Sequence, residues 1–300
     1  MNALTALADD IGPAGRGPVV AVGGRTQWDV GGLPASDARE VRPPHGVVTH
    51  EPAEMTVRVR AGTTIDELAA ALGEGGQRVA LPATPGATVG GVLAVGHSGV
   101  DRLGRGPVRD TALELRYVSA DGDVVKAGGP TVKNVSGFDL VRLFVGSLGT
   151  LGIIGEAVLR TTPLPAVSQW YASDAVDPWS VLAALHRPAS ILWDGTSTWV
   201  LLEGHGRDVA EQSALVGLAG HEVAGPPPLP RHRWSLRPGE VRLVAADGHG
   251  PFVAEIGVGV VHRDEPQPHR PLDPVLAAVT ARLKESFDPT GRLAPGRTVA

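Results

Sequence analysis

The chain has no cysteine in its 300 residues, which excludes disulfides, thiol catalysis, cysteine-ligated zinc and cysteine-held iron–sulfur clusters. Lysine is nearly as scarce: Lys126, Lys133 and Lys284 stand among 27 basic residues. No lysine follows a glycine, so the phosphate loop G-x-x-x-x-G-K-[ST] is absent. Aromatic residues make up only 4%, no Lys/Arg cluster alternates with them, and the formal net charge is −5. Nothing here is the footprint of a nucleic-acid-binding protein. No run approaches the ~18 apolar residues of a membrane span. The opening MNALTALADDIGPAG has no basic start and carries acids where the apolar core of a signal peptide belongs. The expectation is a cytoplasmic chain without a direct membrane span.

What is present is an ordinary globular composition, 42% apolar and 20% charged. At about 100–150 residues per domain the length suggests two. Closely spaced prolines in TTPLPAV, Thr161 to Val167, stop helix and ladder alike. They set an expected boundary between residues 1–165 and 166–300. In the first part, PVVAV, GVVTH and MTVRVRAG read as strands, the last with Val57, Val59 and Ala61 alternating against Thr56, Arg58 and Arg60. Thr64 with Glu67 three residues on predicts a capping box, and Ile65, Leu68, Ala69 and Leu72 an apolar helix face. Leu81 to Asp110 is too rich in glycine and proline for long regular elements and reads as a loop system. Ala112 to Ala127 reads as a hairpin turning at Asp121 and Gly122, and Val132 to Ser147 as a helix before a strand from Ile153 to Thr161. In the second part, DPWSVLAALHR, SILWDGTSTWVLLEG, DVAEQSALVGLAG and FVAEIGVGVV give a β-α-β-β-α-β rhythm, hence a small α+β sheet with helices on one face. AGPPPLPRHRW and HRDEPQPHRPLD read as exposed loops, and Asp273 with Pro274 starts a final helix.

Three glycine-bearing segments stand out: Gly23-Gly24-Arg25-Thr26-Gln27, Pro85-Gly86-Ala87-Thr88-Val89-Gly90-Gly91, and Gly146 to Gly152. A diphosphate needs several main-chain N–H groups aimed at one point, and residues without a Cβ let the chain come close enough. Thr26, Thr88 and Ser98, beside Gly99, add hydroxyls. Each segment alone reads equally as a tight turn. No G-x-G-x-x-G joins a strand to a helix; Gly146-x-x-Gly149-x-x-Gly152 lies between a helix and a strand, the reverse order, so a Rossmann dehydrogenase is disfavoured.

Taken together, GGRTQ, TPGATVGGVLAVGHSG, RGPVRD, SADG, VKNVSGFDLVRLFVGSLGTLGIIGEAVLRTTPLP and FDPTGRLAPG, in that order, resemble the FAD-binding domain of vanillyl-alcohol-oxidase-type (PCMH-type) flavoproteins. Within that superfamily the resemblance points to the E subunits of bacterial glycolate oxidases. It covers nearly the whole chain and is most specific from Lys133 to Pro165. It implies an α+β fold: a two-subdomain PCMH-type FAD-binding domain over residues 1–165, then a smaller α+β, ferredoxin-like cap domain with a closing helix over 166–300. FAD would lie between the two subdomains, with Gly23, Gly24, Arg25, Thr26 and Gln27 and then Pro85, Thr88, Gly90 and Gly91 around its diphosphate. Ser98 and Gly99 would lie nearby, and Gly152, Ile153 and Ile154 would contact the nucleotide end.

Other residues divide between function and architecture. His97 in VGHSG sits where a covalent flavin link is conceivable, since some relatives use histidine, although an ordinary loop histidine is the simpler reading. Arg102, Arg105 and Arg109 can balance phosphate charge or be solvated. Lys133, Asn134, Asp139 and Arg142 read as capping and pairing around a helix. In DPTGRLAPGR, Ala294 replaces the asparagine that the resemblance leads one to expect before Pro-Gly. The sister subunit that oxidises hydroxy acids carries a histidine-rich segment for a metal and the substrate carboxylate; nothing here matches it, so neither a metal ligand nor a catalytic residue is named. The resemblance implies the FAD subunit of a 2-hydroxy-acid dehydrogenase complex. Its partners would be a hydroxy-acid-oxidising flavoprotein subunit and, because this chain has no cysteine, a separate iron–sulfur subunit. A peripheral position at the membrane through those partners is compatible with this. The alternatives are a self-contained alcohol or hydroxy-acid oxidoreductase, with Trp193, Trp199 and Trp234 lining a pocket rather than a core, and a flavin-poor scaffold subunit.

Overall fold

The computed structural model describes residues 2–129, 139–268 and 273–299. Along the chain run α1 (Ala3–Ile11), β1 (Val19–Ala21), β2 (Arg39–Val41), β3 (Val47–Glu51), β4 (Thr56–Arg60), α2 (Ile65–Gly73), β5 (Gln77–Arg78) and α3 (Val89–Val95). There follow α4 (Arg102–Arg105), β6 (Ala112–Val118), β7 (Val124–Gly128), α5 (Leu140–Phe144), β8 (Ile153–Arg160) and β9 (Thr162–Pro163). The remainder is β10 (Val167–Ser173), α6 (Pro178–Ala184), β11 (Ser190–Trp193), β12 (Thr198–Gly204), α7 (Gly206–Leu215), β13 (Glu222–Val223), β14 (His232–Ser235), β15 (Phe252–Glu255), β16 (Val260–Arg263) and α8 (Pro274–Phe287). The first compact unit takes in Met1–Gly99, Pro107–Leu164 and Pro271–Ala300, the second Val100–Gly106 and Pro165–Arg270. The C-terminal segment thus clusters with the first unit, not with the residues that precede it.

The first unit is built on a sheet in the order β3-β4-β8-β6-β7 and a small parallel pair, β1-β2. Alternation in β4 does what its pattern predicts: Val57 and Val59 are fully buried, and the capped helix α2 presents Ile65, Leu68 and Leu72 to the same core. Both capping-box bonds are made, Glu67 N–H to Thr64 Oγ1 at 3.2 Å and Thr64 N–H to Glu67 Oε2 at 2.9 Å. The C-terminal segment is sewn to β1 on both sides of Leu293: Val19 N–H donates to Arg292 O and Ala294 N–H to Val19 O, each at 2.8 Å. Arg292, 3% exposed, donates at 2.9 Å to the carbonyls of Gly17, Gly12, Ala120 and Ile11. A guanidinium with every arm on a main-chain carbonyl is a clasp, and it is why residues far apart in sequence share one unit.

In the second unit, strands run β13-β10-β12-β11-β15-β16-β14. With α6 and α7, the first four give the 4-1-3-2 strand order of a ferredoxin-like β-α-β-β-α-β unit. The closing strand of that unit is β13, not FVAEIGVGVV, which instead turns at Gly257 (φ 81°) and Gly259 (φ 88°) into the hairpin β15-β16. HRW, read from sequence as loop, pairs with β16 as β14. Trp234 is buried there, its Nε1–H on Glu265 O at 2.8 Å, and Trp193 packs edge-on against Trp179 and Phe252; these two are core tryptophans.

Two further expectations change. The stretch from Leu81 to Asp110 does contain helices, α3 and α4; α3 forms despite two glycines because Thr88 caps it, Gly91 N–H donating to Thr88 Oγ1 at 3.2 Å. The helix expected over Val132 to Ser147 is described only from Leu140 to Phe144, with residues 130–138, Lys133 and Asn134 among them, outside the described residues. It ends where Gly146 (φ 89°), Leu148 (φ 55°) and Gly149 (φ 76°) take left-handed backbone. Asp139 caps it and Arg142 pairs with Asp110 at 2.9 Å, the structural roles expected of them.

Candidate functional site

Within the first unit, the three glycine segments meet at one cavity holding about 870 Å³ of space not filled by protein atoms, part of it open to solvent. Gly23, Gly24, Arg25, Thr26, Gln27, Thr88, Gly90, Gly91, Gly152, Ile153 and Ile154 all line it. Pro85, Ser98 and Gly99 do not, although Pro82, Thr84 and Ala87 around the first of them do. Ser98 is engaged elsewhere, its Oγ accepting from Val108 N–H at 3.1 Å. His97 and Arg109 are likewise absent from the wall, and Arg102 and Arg105 belong to the second unit, where Arg105 pairs with Glu203 at 2.6 Å and with Asp101. None of those three arginines lines the cavity.

The segments reach one another because they lack side chains. A Cβ on Gly24 would overlap the carbonyl oxygen of Gly86, and one on Gly23 would overlap Thr88 Oγ1. A Cβ on Gly90 would lie 2.7 Å from Ala61 Cβ at the end of β4. Gly152 serves packing of another kind: a Cβ there would meet the rings of Tyr117 at 2.6 Å and Phe144 at 2.8 Å.

The segments differ in what their N–H groups do. From Gly23 to Gln27, no main-chain N–H has an acceptor among the described residues. Arg25 holds left-handed backbone (φ 55°), a conformation that costs a non-glycine residue about 1–2 kcal/mol and tends to mark functional turns. The start of α3 is closed instead: Val89 donates to Thr63 O at 2.9 Å, Gly90 to Ala61 O at 2.8 Å, Gly91 to Thr88 Oγ1 and Val92 to Thr88 O at 2.9 Å. Of the N–H groups that a helix start leaves orphaned, those of Val89, Gly90 and Gly91 are satisfied by protein, and the Val92 bond is the first of the helix itself. The third segment closes the other end of the same helix, Gly146 N–H donating to Leu93 O at 2.9 Å and Leu148 N–H to Ala94 O at 2.8 Å. That is the local reason glycines sit between a helix and a strand.

Sequence reasoning missed Trp28 and Arg297, which also line the cavity. Arg297 Nη2–H donates to Trp28 O at 2.9 Å, and its guanidinium lies 4.7 Å from the Trp28 ring centroid; that of Arg25 lies 4.9 Å from the same centroid. The position of Arg297 just after the Pro295-Gly296 turn of a glycine-rich closure was the available signal. Among the described residues no group of three or more His, Asp or Glu is placed to hold a metal ion, and no helix is long and apolar enough to cross a membrane. The residues present fit a dinucleotide diphosphate: open N–H donors, a hydroxyl and a cation surround a cleft whose walls are cleared by glycines.

Known proteins agree in kind. Residues 14–128 match the family model described as FAD binding domain. Glycolate oxidase subunit GlcE of Escherichia coli (strain K12) is 32% identical over 222 residues, 69% of this chain and 61% of that protein. Glycolate oxidase subunit GlcD of Bacillus subtilis (strain 168) is 45% identical over 78 residues, 26% of this chain and 17% of that one. D-lactate dehydrogenase of Archaeoglobus fulgidus is 36% identical over 150 residues, 49% of this chain and 33% of that one. This chain therefore spans 61% of the length of the first relative and a third or less of the other two. A solved structure of alkyldihydroxyacetonephosphate synthase superposes with a TM-score of 0.68 at 15% identity, over 97% of this chain and 73% of that one, which shows a shared fold.

Proposed function

A chain whose residues 14–128 belong to the FAD-binding domain family is, we propose, the FAD-holding subunit of a glycolate-oxidase-like 2-hydroxy-acid dehydrogenase. The observation that carries the cofactor role is the meeting of three separated glycine segments at one cavity, with five consecutive N–H groups that have no acceptor among the described residues. The substrate class follows from the glycolate oxidase and D-lactate dehydrogenase relatives. When bound, FAD supplies the electron acceptor for oxidation of the α-carbon. The residues of this chain bind and orient it: Gly23 to Gln27 donate N–H groups to the diphosphate, Thr26 and Thr88 add hydroxyls, and the Gly90 and Gly91 backbone forms a flat wall. Ile153 and Ile154 exclude water at the start of β8. A chain without cysteine cannot hold an iron–sulfur cluster on thiolates, so electrons leave for a partner subunit.

The test is purification of the full chain with the partners encoded beside it, followed by an absorption spectrum and addition of glycolate or D-lactate. The expected preparation is yellow, and its flavin band bleaches on adding a 2-hydroxy acid in the complex but not in the isolated chain. Bleaching of the isolated chain would support a self-contained enzyme. A folded, colourless chain that ignores added FAD would make it a scaffold.

A further inference from the structure

Two arginines line the cavity, and they are partnered differently. Arg25 is ion-paired with Glu40 at the surface. Arg297 forms no ion pair with any described carboxylate; its contacts are Trp28 O, Val30 O at 3.4 Å and the Trp28 ring. Its Nε is buried and has no hydrogen-bond partner. Other buried guanidinium groups have their charge met: Arg58 by Glu114 and Glu156, each at 3.0 Å, Arg263 by Asp247 at 2.7 Å although its Nε likewise has no partner, and Arg292 by four carbonyls. Burial pulls the Arg297 pKa down from its usual value, with Asp29 acting weakly the other way, yet an arginine stays charged. A half-buried cation at a cavity wall, short of acceptors, is costly unless an anion arrives to complete it.

We propose that Arg297 is the cationic anchor of the FAD diphosphate, closing from the C-terminal segment the site that Gly23 to Gln27 opens with main-chain donors. This rests on the FAD reading given above and assigns a charge that, unlike that of Arg25, no described carboxylate already pairs with. Trp28, stacked by both guanidinium groups, holds Arg297 in place. The anchor would make affinity depend on the diphosphate itself, so a flavin without one gains nothing from it.

The experiment measures binding, not turnover, on the full chain stripped of flavin. FAD and riboflavin affinities are read from flavin fluorescence, and ADP and adenosine serve as competitors that carry or lack the diphosphate. Arg297→Met is expected to weaken FAD about 10- to 100-fold, to remove the advantage of ADP over adenosine, and to leave riboflavin and the apo melting temperature nearly unchanged. Arg297→Lys should fall between, keeping the charge and losing the fork. Equal weakening of FAD and riboflavin, or a surviving ADP advantage, overturns the proposal and leaves Arg297 as a structural clasp. Wild-type protein that binds neither FAD nor ADP overturns the functional reading, and the anchor with it. Should Arg297→Met fail to fold, the wild type decides: FAD affinity must fall with added salt while riboflavin affinity does not, and a flat FAD response defeats the anchor.

Discussion

The loop Gly23–Gln27 and the turn Gly86–Gly91 look alike in sequence, and they are opposites in hydrogen bonding. In the turn, Gly86 N–H reaches Asp66 Oδ2 at 3.3 Å, Ala87 reaches Thr84 O at 3.0 Å, and Val89, Gly90 and Gly91 are held by Thr63, Ala61 and Thr88. In the loop, no N–H has an acceptor among the described residues, whereas in the turn only that of Thr88 has none. The turn is a wall whose shape is fixed by α2 and β4. The loop is the proposed donor array. Glycine therefore means two things within one site: freedom to approach in the turn, freedom to point N–H groups outward in the loop. The comparison can be broken by substitutions that touch one meaning and spare the other.

The largest effect is expected at Gly24, where the two segments touch. Gly24→Ala places a methyl on the Gly86 carbonyl oxygen, main chain against main chain, so the loop must move bodily. FAD affinity should fall more than about 100-fold, and stability by about 2–4 kcal/mol. Fluorescence titration and urea melts measure the two. Near-normal FAD binding by a folded Gly24→Ala chain would falsify the convergence of loop and turn.

Next comes Gly90→Ala. In a free helix this change is worth roughly 1 kcal/mol of stabilisation. Here the new Cβ lies 2.7 Å from Ala61 Cβ and 3.0 Å from Ala61 O, so overpacking wins and the net expectation is a loss of about 1–3 kcal/mol. Because Gly90 N–H already serves Ala61, FAD affinity of the folded fraction should change less than it does in Gly24→Ala. A stable Gly90→Ala protein with abolished FAD binding would reverse the assignment of wall and donor array.

How much of this was readable beforehand follows from what each signal depends on. β4 and α2 were legible because alternation and a capping box are local, and their burial follows from period alone. The three glycine segments were legible as candidates, since spacing shows where a chain can turn tightly. Which N–H groups stay open was not, because the partners Thr63 and Ala61 come from a different element. α3 was hidden by Val-Gly-Gly-Val, poor helix formers whose helix is imposed by Thr88 below and by the Gly146–Leu148 N–H groups above. Arg297 and Trp28 lie about 270 residues apart in sequence, and no periodicity reaches that far. The same long-range closure, through Arg292, places the C-terminal segment with the first unit, which a boundary drawn at one proline cluster could not show.

A smaller effect tests how the wall is held. Thr88→Ala removes the acceptor for Gly91 N–H and should cost about 1 kcal/mol, the usual value of an N-cap, while Thr88→Ser should be nearly neutral. Equal melting temperatures for the Ala and Ser variants would mean that the Thr63 and Ala61 carbonyls alone hold the helix start.

The smallest effect concerns the pin behind the wall. Thr64 pairs with Thr88 across an isolated bridge, and its own geometry is kept by Glu67. The Thr64 main-chain N–H, and then its hydroxyl, hold the Glu67 carboxyl below the usual carboxylate range. A depressed folded pKa means that the unfolded chain takes up the proton first on acidification. The contribution is therefore complete above the ordinary glutamate pKa and is lost as pH falls through the lower folded value. Glu67→Gln should flatten that acid limb of stability against pH while leaving the neutral region close to wild type, since the group is fully exposed. An unchanged acid limb would place the capping box outside the support of the wall, and the turn would then owe its shape to Ala61 and Thr63 alone.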